Sequence, residues 1–190
     1  MFAMNVVTII INIHECLARM LFVSCLTFFI VGCIYEKSLD DSTTHDGFLF
    51  INEFMASNDT QNTDEYGEYD DWVEIFNGGT TTVDLGGYFI SDDHEIPVQI
   101  PTGAPSKTMV EPGGFILLWF DNTPEQGPLH IAYKLSSAGD AIHLYDVDGV
   151  TRMDSYSFSH QTTDVSEGRE SDGDENWIFF DLPTPGQSNI

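Results

Sequence analysis

No cysteine follows position 33. All three, Cys16, Cys25 and Cys33, lie near the N-terminal end, so the rest of the chain has no disulfide and must be held by packing, hydrogen bonds or ions. Basic residues are almost as scarce. Six Lys and Arg stand against 31 Asp and Glu, a formal net charge of −25. A surface of that sign repels phosphate backbones, which argues against nucleic acid as a partner; it favours divalent cations, basic partners or simple solvation. Also missing are any sustained apolar spacing of 3.6 residues after Gly47, a G-x-S-x-G elbow, an H-E-x-x-H helix and a glycine-rich phosphate loop. A nucleophilic cysteine is excluded from the body by absence. The histidines His94, His130, His143 and His160 stand at no metal-ligand spacing from one another. The chain therefore reads as a non-enzyme.

What is present first is an apolar N-terminus. Leu21 to Val31 is one apolar run, preceded by Arg19 and followed by Gly32 and Cys33. At about 1.5 Å per residue in a helix, such a run spans only about half of a hydrocarbon core roughly 30 Å thick. A short run with a basic flank and a small residue at its end suits a cleaved export signal, with Cys33 as the acylated residue of a lipoprotein. The additional apolar stretch Met1 to Ile13 leaves an uncleaved anchor open. Residues 1–32 are thus a lipoprotein signal peptide or a membrane anchor, and 33–46 a polar tether. Either way the body is expected outside the cytoplasm and fixed to a membrane, in the bacterial envelope or at the cell surface. Ile34 after Cys33 favours outer-membrane sorting under enterobacterial rules.

From Gly47 onward, short apolar or alternating runs recur between Gly, Pro, Asn and Asp clusters, the pattern of an all-β sandwich. The expected strands are Phe48 to Phe54, Asp71 to Phe76, Gly87 to Ser91, Phe115 to Phe120, Ile131 to Leu135, Ala141 to Tyr145, Thr151 to Phe158 and Trp177 to Phe180. Glu111-Pro112-Gly113-Gly114 suits a type II turn, and Asp148-Gly149 a hairpin turn. The segment Ser57 to Asp70 carries Asp59, Asp64, Glu65, Glu68 and Asp70 and is expected to be an exposed loop. A body of roughly 158 residues from Cys33 buries about 68–70% of its unfolded surface and can form a core without cross-links.

The order of the pieces is more specific than their number. Ile51-Asn52-Glu53-Phe54, then Asp71 to Asn77 (DWVEIFN), then Val83 to Asp92 (VDLGGYFISD) resembles the lamin tail domain, in particular its bacterial members. The resemblance continues through Glu111 to Phe115, His130 to Ser136, Gly139 to Asp146, and Pro183 to Asn189. It implies an immunoglobulin-like β-sandwich over 47–190, exported and used for binding rather than chemistry. Family members are often attached to hydrolases, and no catalytic partner domain is present here.

The candidate sites are carboxylates. Trp72, Glu74 and Phe76 share one face of their strand and Val73 and Ile75 the other, so Glu74 stands among aromatics. Glu53 and Glu74 either cap backbone groups or pair with Lys134 or Arg169, or else join Asp70 or Asp71 and Asp92 or Asp93 in a hard oxygen shell for Ca2+. Asp146-Val147-Asp148-Gly149 looks like part of a calcium loop but lacks the downstream Glu, and reads as a turn. Arg169 is expected to clamp a carboxylate. Trp119 and Trp177 are expected in or over the core, with an exposed Trp119–Phe120 platform as the lesser reading. The combined expectation is a lipid-anchored surface module that binds a protein or envelope polysaccharide. Its alternatives are a calcium-dependent carbohydrate-binding module and an accessory subunit of a separately encoded exported hydrolase.

Overall fold

A computed structural model describes residues 48–92 and 96–189. The signal or anchor, Cys33, the tether and Asp93 lie outside the described residues.

The regular secondary structure of the described chain is almost all strand. In order these are β1 (Leu49–Met55), β2 (Asp71–Asn77), β3 (Val83–Asp84), β4 (Phe89–Asp92), β5 (Val98–Gln99), a one-turn helix α1 (Pro105–Thr108), β6 (Met109–Val110) and β7 (Phe115–Phe120). A 3-10 turn at Pro124–Gln126 leads to β8 (His130–Ile131), β9 (Asp140–Tyr145), β10 (Arg152–Phe158), β11 (Ser166–Arg169) and β12 (Trp177–Phe180). One sheet runs β12-β11-β1-β2-β7-β8, a second β10-β9-β4-β5, and β3 with β6 forms a small ribbon. Every pairing is antiparallel except β7 with β8. This is a β-sandwich, as the strand pattern predicts, and of the immunoglobulin-like kind that the resemblance implies.

Alternation builds the core. Ile51 and Phe54 of β1, Val73 and Ile75 of β2, and Ile116 and Leu118 of β7 point inward against Ile90, Ile142 and Leu144 of the second sheet. Phe54 packs on Phe158 at 4.4 Å between ring centroids and closes one end with Tyr156 and Trp177. The expected turns form. Gly113 takes φ 71° while Gly114 N donates to Glu111 O at 2.8 Å, and Gly149 takes φ 67° between β9 and β10.

Three differences from the sequence reading matter. The strand expected at Ile131 to Leu135 is cut to His130–Ile131, because it pairs in parallel only with the end of β7. β11 (Ser-Glu-Gly-Arg) was invisible to an apolar pattern, yet all four residues are buried inside the larger sheet. The loop 57–70 is mostly exposed, but Asn58 and Asp64 are buried within it. Asn58 Nδ2 donates to the carbonyls of Asn62 and Asp70, and Asp164 accepts from the Asp59 and Thr60 amides, so the loop is tied down at several points.

Gly168 of β11 lies opposite Glu53. A Cβ there would come within 2.9 Å of both Asn52 O and Glu53 Cγ. Gly168→Ala is expected to cost about 1–3 kcal/mol by overpacking, checked by urea unfolding; a change within error would mean that β1 yields there.

Candidate functional site

A β-bulge sets up the face on which the acidic residues gather. Between β1 and β2, Ile51 opposes Ile75 but Glu53 opposes Glu74, so Asn52 is the extra residue. After the bulge, Glu53 and Met55 point away from the core beside Glu74 and Trp72. The outer face of the larger sheet then carries three cross-strand rows: Phe50, Phe76 and Phe115; Glu53, Glu74 and Leu117; Met55, Trp72 and Trp119.

The middle row is buried, with Glu53 and Glu74 both at 0% exposure. Two carboxylates out of water require donors for their oxygens, and the C-terminal segment after β12 supplies most of them. Glu53 accepts Ser166 Oγ at 2.5 Å, Thr184 N at 3.0 and 3.2 Å, and Thr184 Oγ1 at 2.7 Å. Glu74 accepts Gly186 N at 2.6 Å and Asn52 Nδ2 at 3.1 Å. Asn189 Nδ2 donates to the carbonyls of Asn52 and Arg169, and Asn189 N to Asp172. Burial pushes Glu74 up to about 8; the hydrogen bonds from Asn52 and Gly186 oppose this, and the neighbouring Glu53 and Asp172 add to it. The capping alternative thus describes the surroundings of both glutamates: their donors are backbone amides, hydroxyls and an amide side chain.

Arg169 clamps a carboxylate as expected. Its Nη2 lies 2.8 Å from Asp154 Oδ2, Nε donates to Ile51 O at 2.8 Å, and Nη1 donates to Asp174 O. The guanidinium also lies over the rings of Phe50 (5.4 Å) and Trp177 (5.1 Å). Trp119 and Phe120 are buried, so no platform forms from them. Asp148 accepts from Val150, Thr151 N and Thr151 Oγ1, the arrangement of a turn-closing aspartate.

The remaining candidates fall in different places. Asp71 opens β2 opposite Phe120, and burial raises it to about 6 against the lowering effect of Lys134. Asp92 ends β4 opposite Ile142, in the other sheet. Among the described residues, the groups whose ligand atoms lie within 4.8 Å of one another are Asp64 with Asp121 and His130, and Asp64 with Glu68 and Asp70. None of Glu53, Asp71, Glu74 or Asp92 is in either group. The sequence offers Asp70 as a candidate ligand, sets His130 aside for want of another histidine at ligand spacing, and gives no sign of Asp121.

This second cluster forms where the loop 57–70 meets the connection from β7 to β8. Asp121 follows β7, and its Oδ2 lies 2.5 Å from His130 Nδ1. Burial would raise Asp121, but hydrogen bonds from Thr123 and His130 outweigh it and hold the carboxyl below its usual range. Asp70 is raised by burial and by the charges of Asp121, Asp64 and Glu68. His130 could have been suspected from the short distance in sequence to Asp121, but only with the turn at Pro124–Gln126 folding the two back together.

The family model described as Lamin Tail Domain matches residues 42–160. No curated protein and no solved structure matches the chain. The family is one of immunoglobulin-like modules that are not usually catalytic. The match stops before β11, β12 and the closing segment, although β11 lies between β1 and β12 in the larger sheet.

The shift at Glu74 has a measurable sign. With Glu74 pushed up to about 8, the folded chain retains a proton there up to about pH 8, while the unfolded chain loses it near the ordinary glutamate value of 4.5. That contribution to stability is present below the unfolded value and is lost as pH rises toward 8. Glu74→Gln should flatten the fall in unfolding free energy between pH 5.5 and 8.5, measured by urea titration at each pH. An unchanged slope would assign the titration elsewhere.

Proposed function

The chain belongs to the lamin tail domain family, and from that premise we propose that it is a non-catalytic binding module carried at the bacterial cell envelope, with Cys33 as its acylated anchor. The observation that supports this reading most directly is the aromatic row on the outer face of the larger sheet. Phe50 and Phe76 stack with centroids 6.3 Å apart, and Phe76 and Phe115 at 5.1 Å, across three neighbouring strands. All three rings are half-buried. Rings in cross-strand register on a sheet form a flat apolar strip, which contributes binding energy without needing to rearrange. Phenylalanine has no polar tip to hold a sugar hydroxyl, so the strip favours a protein ligand over a glycan.

The charge of the chain adds a second constraint on the ligand. With 31 acidic residues against six basic ones, the surroundings of any binding face repel acidic partners. The ligand we propose therefore has an apolar centre and a basic rim. An exported hydrolase encoded separately would satisfy the same description, and in that case the module acts as its accessory subunit.

Two measurements test the reading. Phe76→Ser with Phe115→Ser, folded by circular dichroism, should weaken capture of envelope proteins by the immobilised domain at least about tenfold, the scale of one or more lost hot-spot contacts. Equal capture would remove the strip from the binding face, and absence of any captured protein would count against the role itself. Mass spectrometry of the mature N-terminus should find a diacylglyceryl-modified Cys33; an unmodified residue would end the anchor proposal.

A further inference from the structure

The middle of the loop 57–70 reaches the β7–β8 connection through Tyr66 and Glu68, which bond Gln126, and beside these contacts it buries several acidic groups against His130. Asp64 Oδ1 accepts the amides of Tyr66 and Glu68, at 2.8 and 2.9 Å, which orients that carboxylate. Its other oxygen, Oδ2, is buried without a hydrogen bond, and so are Asp70 Oδ2 and His130 Nε2. Asp64 is only 7% exposed and His130 only 2%. The ligand atoms of Asp64, Asp121 and His130 lie within 4.8 Å of one another, and Glu68 and Asp70 approach Asp64 to the same limit.

The imidazole is the telling member. Asp121 Oδ2, 2.5 Å from Nδ1, fixes the ring, while Nε2 has no hydrogen-bond partner and lies 3.5 Å from Glu65 Oε2. A carboxylate that orients a histidine through one ring nitrogen while the other stays available is the usual support for a metal-binding imidazole. Lys107, 3.9 Å from Glu65, is largely exposed and stands outside the buried part of the cluster.

We propose that His130 Nε2 and Asp64 hold a divalent cation of the zinc or manganese class, with Asp121 orienting the imidazole from Nδ1 and Asp70 and Glu68 closing around Asp64. The donor chemistry selects the class. Carboxylate oxygens with one imidazole nitrogen suit borderline first-row ions, whereas calcium takes six to eight oxygens. The ion fastens the loop 57–70 to the turn after β7, where Tyr66 already bonds Gln126 O at 2.8 Å and lies edge-on to His130. Its role is structural, in a domain without disulfides. It does not rest on the ligand-binding strip, which lies in a different row of the same face.

Metal analysis and calorimetry on the full chain, purified without chelator and then titrated with zinc or manganese, test this. About one equivalent should bind, and melting should rise by about 5–10 °C at a hundredfold excess over Kd. Asp64→Asn, which keeps the oxygen used by the Tyr66 and Glu68 amides, and His130→Gln should each abolish both effects. Asp148→Asn, in the β9–β10 turn, should retain them. Absence of binding in the wild-type chain would overturn the proposal, as would binding that survives both Asp64→Asn and His130→Gln. Binding of calcium alone, insensitive to His130→Gln, would also overturn it. Should the variants fail to fold, the ring-nitrogen resonances of His130 in the wild-type chain decide: unchanged shifts on zinc addition would exclude the site.

Discussion

Two carboxylates with no water around them organise the larger sheet. Glu53 and Glu74 stand opposite each other on β1 and β2, on the face away from the core, and their oxygens are met by donors from Ser166, Thr184, Asn52 and Gly186. The path of the C-terminal segment follows from that requirement. Leaving either carboxylate without its donors costs several kcal/mol, so the chain after β12 is drawn back across the sheet. The bulge at Asn52 is part of the same arrangement, since without it Glu53 would point into the apolar core. Gly168 belongs to it as well, because only a residue without a side chain leaves room for Asn52 and Glu53 opposite.

The same face shows three solutions to one problem. Its first row, Phe50 with Phe76 and Phe115, stays half-buried. The second is sealed by the closing segment through hydrogen bonds. The third, Met55 with Trp72 and Trp119, forms a small apolar cluster of its own, separate from the main core. Beyond that third row the loop 57–70 meets Asp121 and His130, and there the protein's own groups leave carboxylate oxygens and an imidazole nitrogen without hydrogen bonds. Buried carboxyl oxygens are thus met by donors in one place and left without hydrogen bonds in another. A cation answers the second case as Thr184 and Gly186 answer the first.

Much of the fold was legible because strand period and turn chemistry are local. Phe115–Phe120 and Trp177–Phe180 appear at the expected limits, and Asp71–Asn77 differs by one residue. Glu111 to Gly114 and Asp148-Gly149 turn where their residue types require. β11 escaped notice because Ser-Glu-Gly-Arg has no apolar residue. It is a strand only because its neighbours supply partners: Glu167 accepts Tyr156 Oη and Gln161 Nε2, and Arg169 reaches Asp154. The loop 57–70 read as exposed for the same kind of reason. Polarity predicts solvent on average, and Asn58 and Asp64 are exceptions made by their hydrogen bonds.

By itself, the sequence determined the β-sandwich, its turns, the family and the acidity of the surface, since each rests on neighbouring residues or on their order. It also marked Glu53 and Glu74 as unusual, through the alternation that places Glu74 among aromatics. Only the tertiary structure decided which acids meet. Ser166 is 113 residues from Glu53, and Gly186 is 112 from Glu74. Asp64 reaches Asp121 and His130 only because the loop before β2 folds over the turn after β7. Distances of that kind are set by strand order and register, which no local spacing encodes.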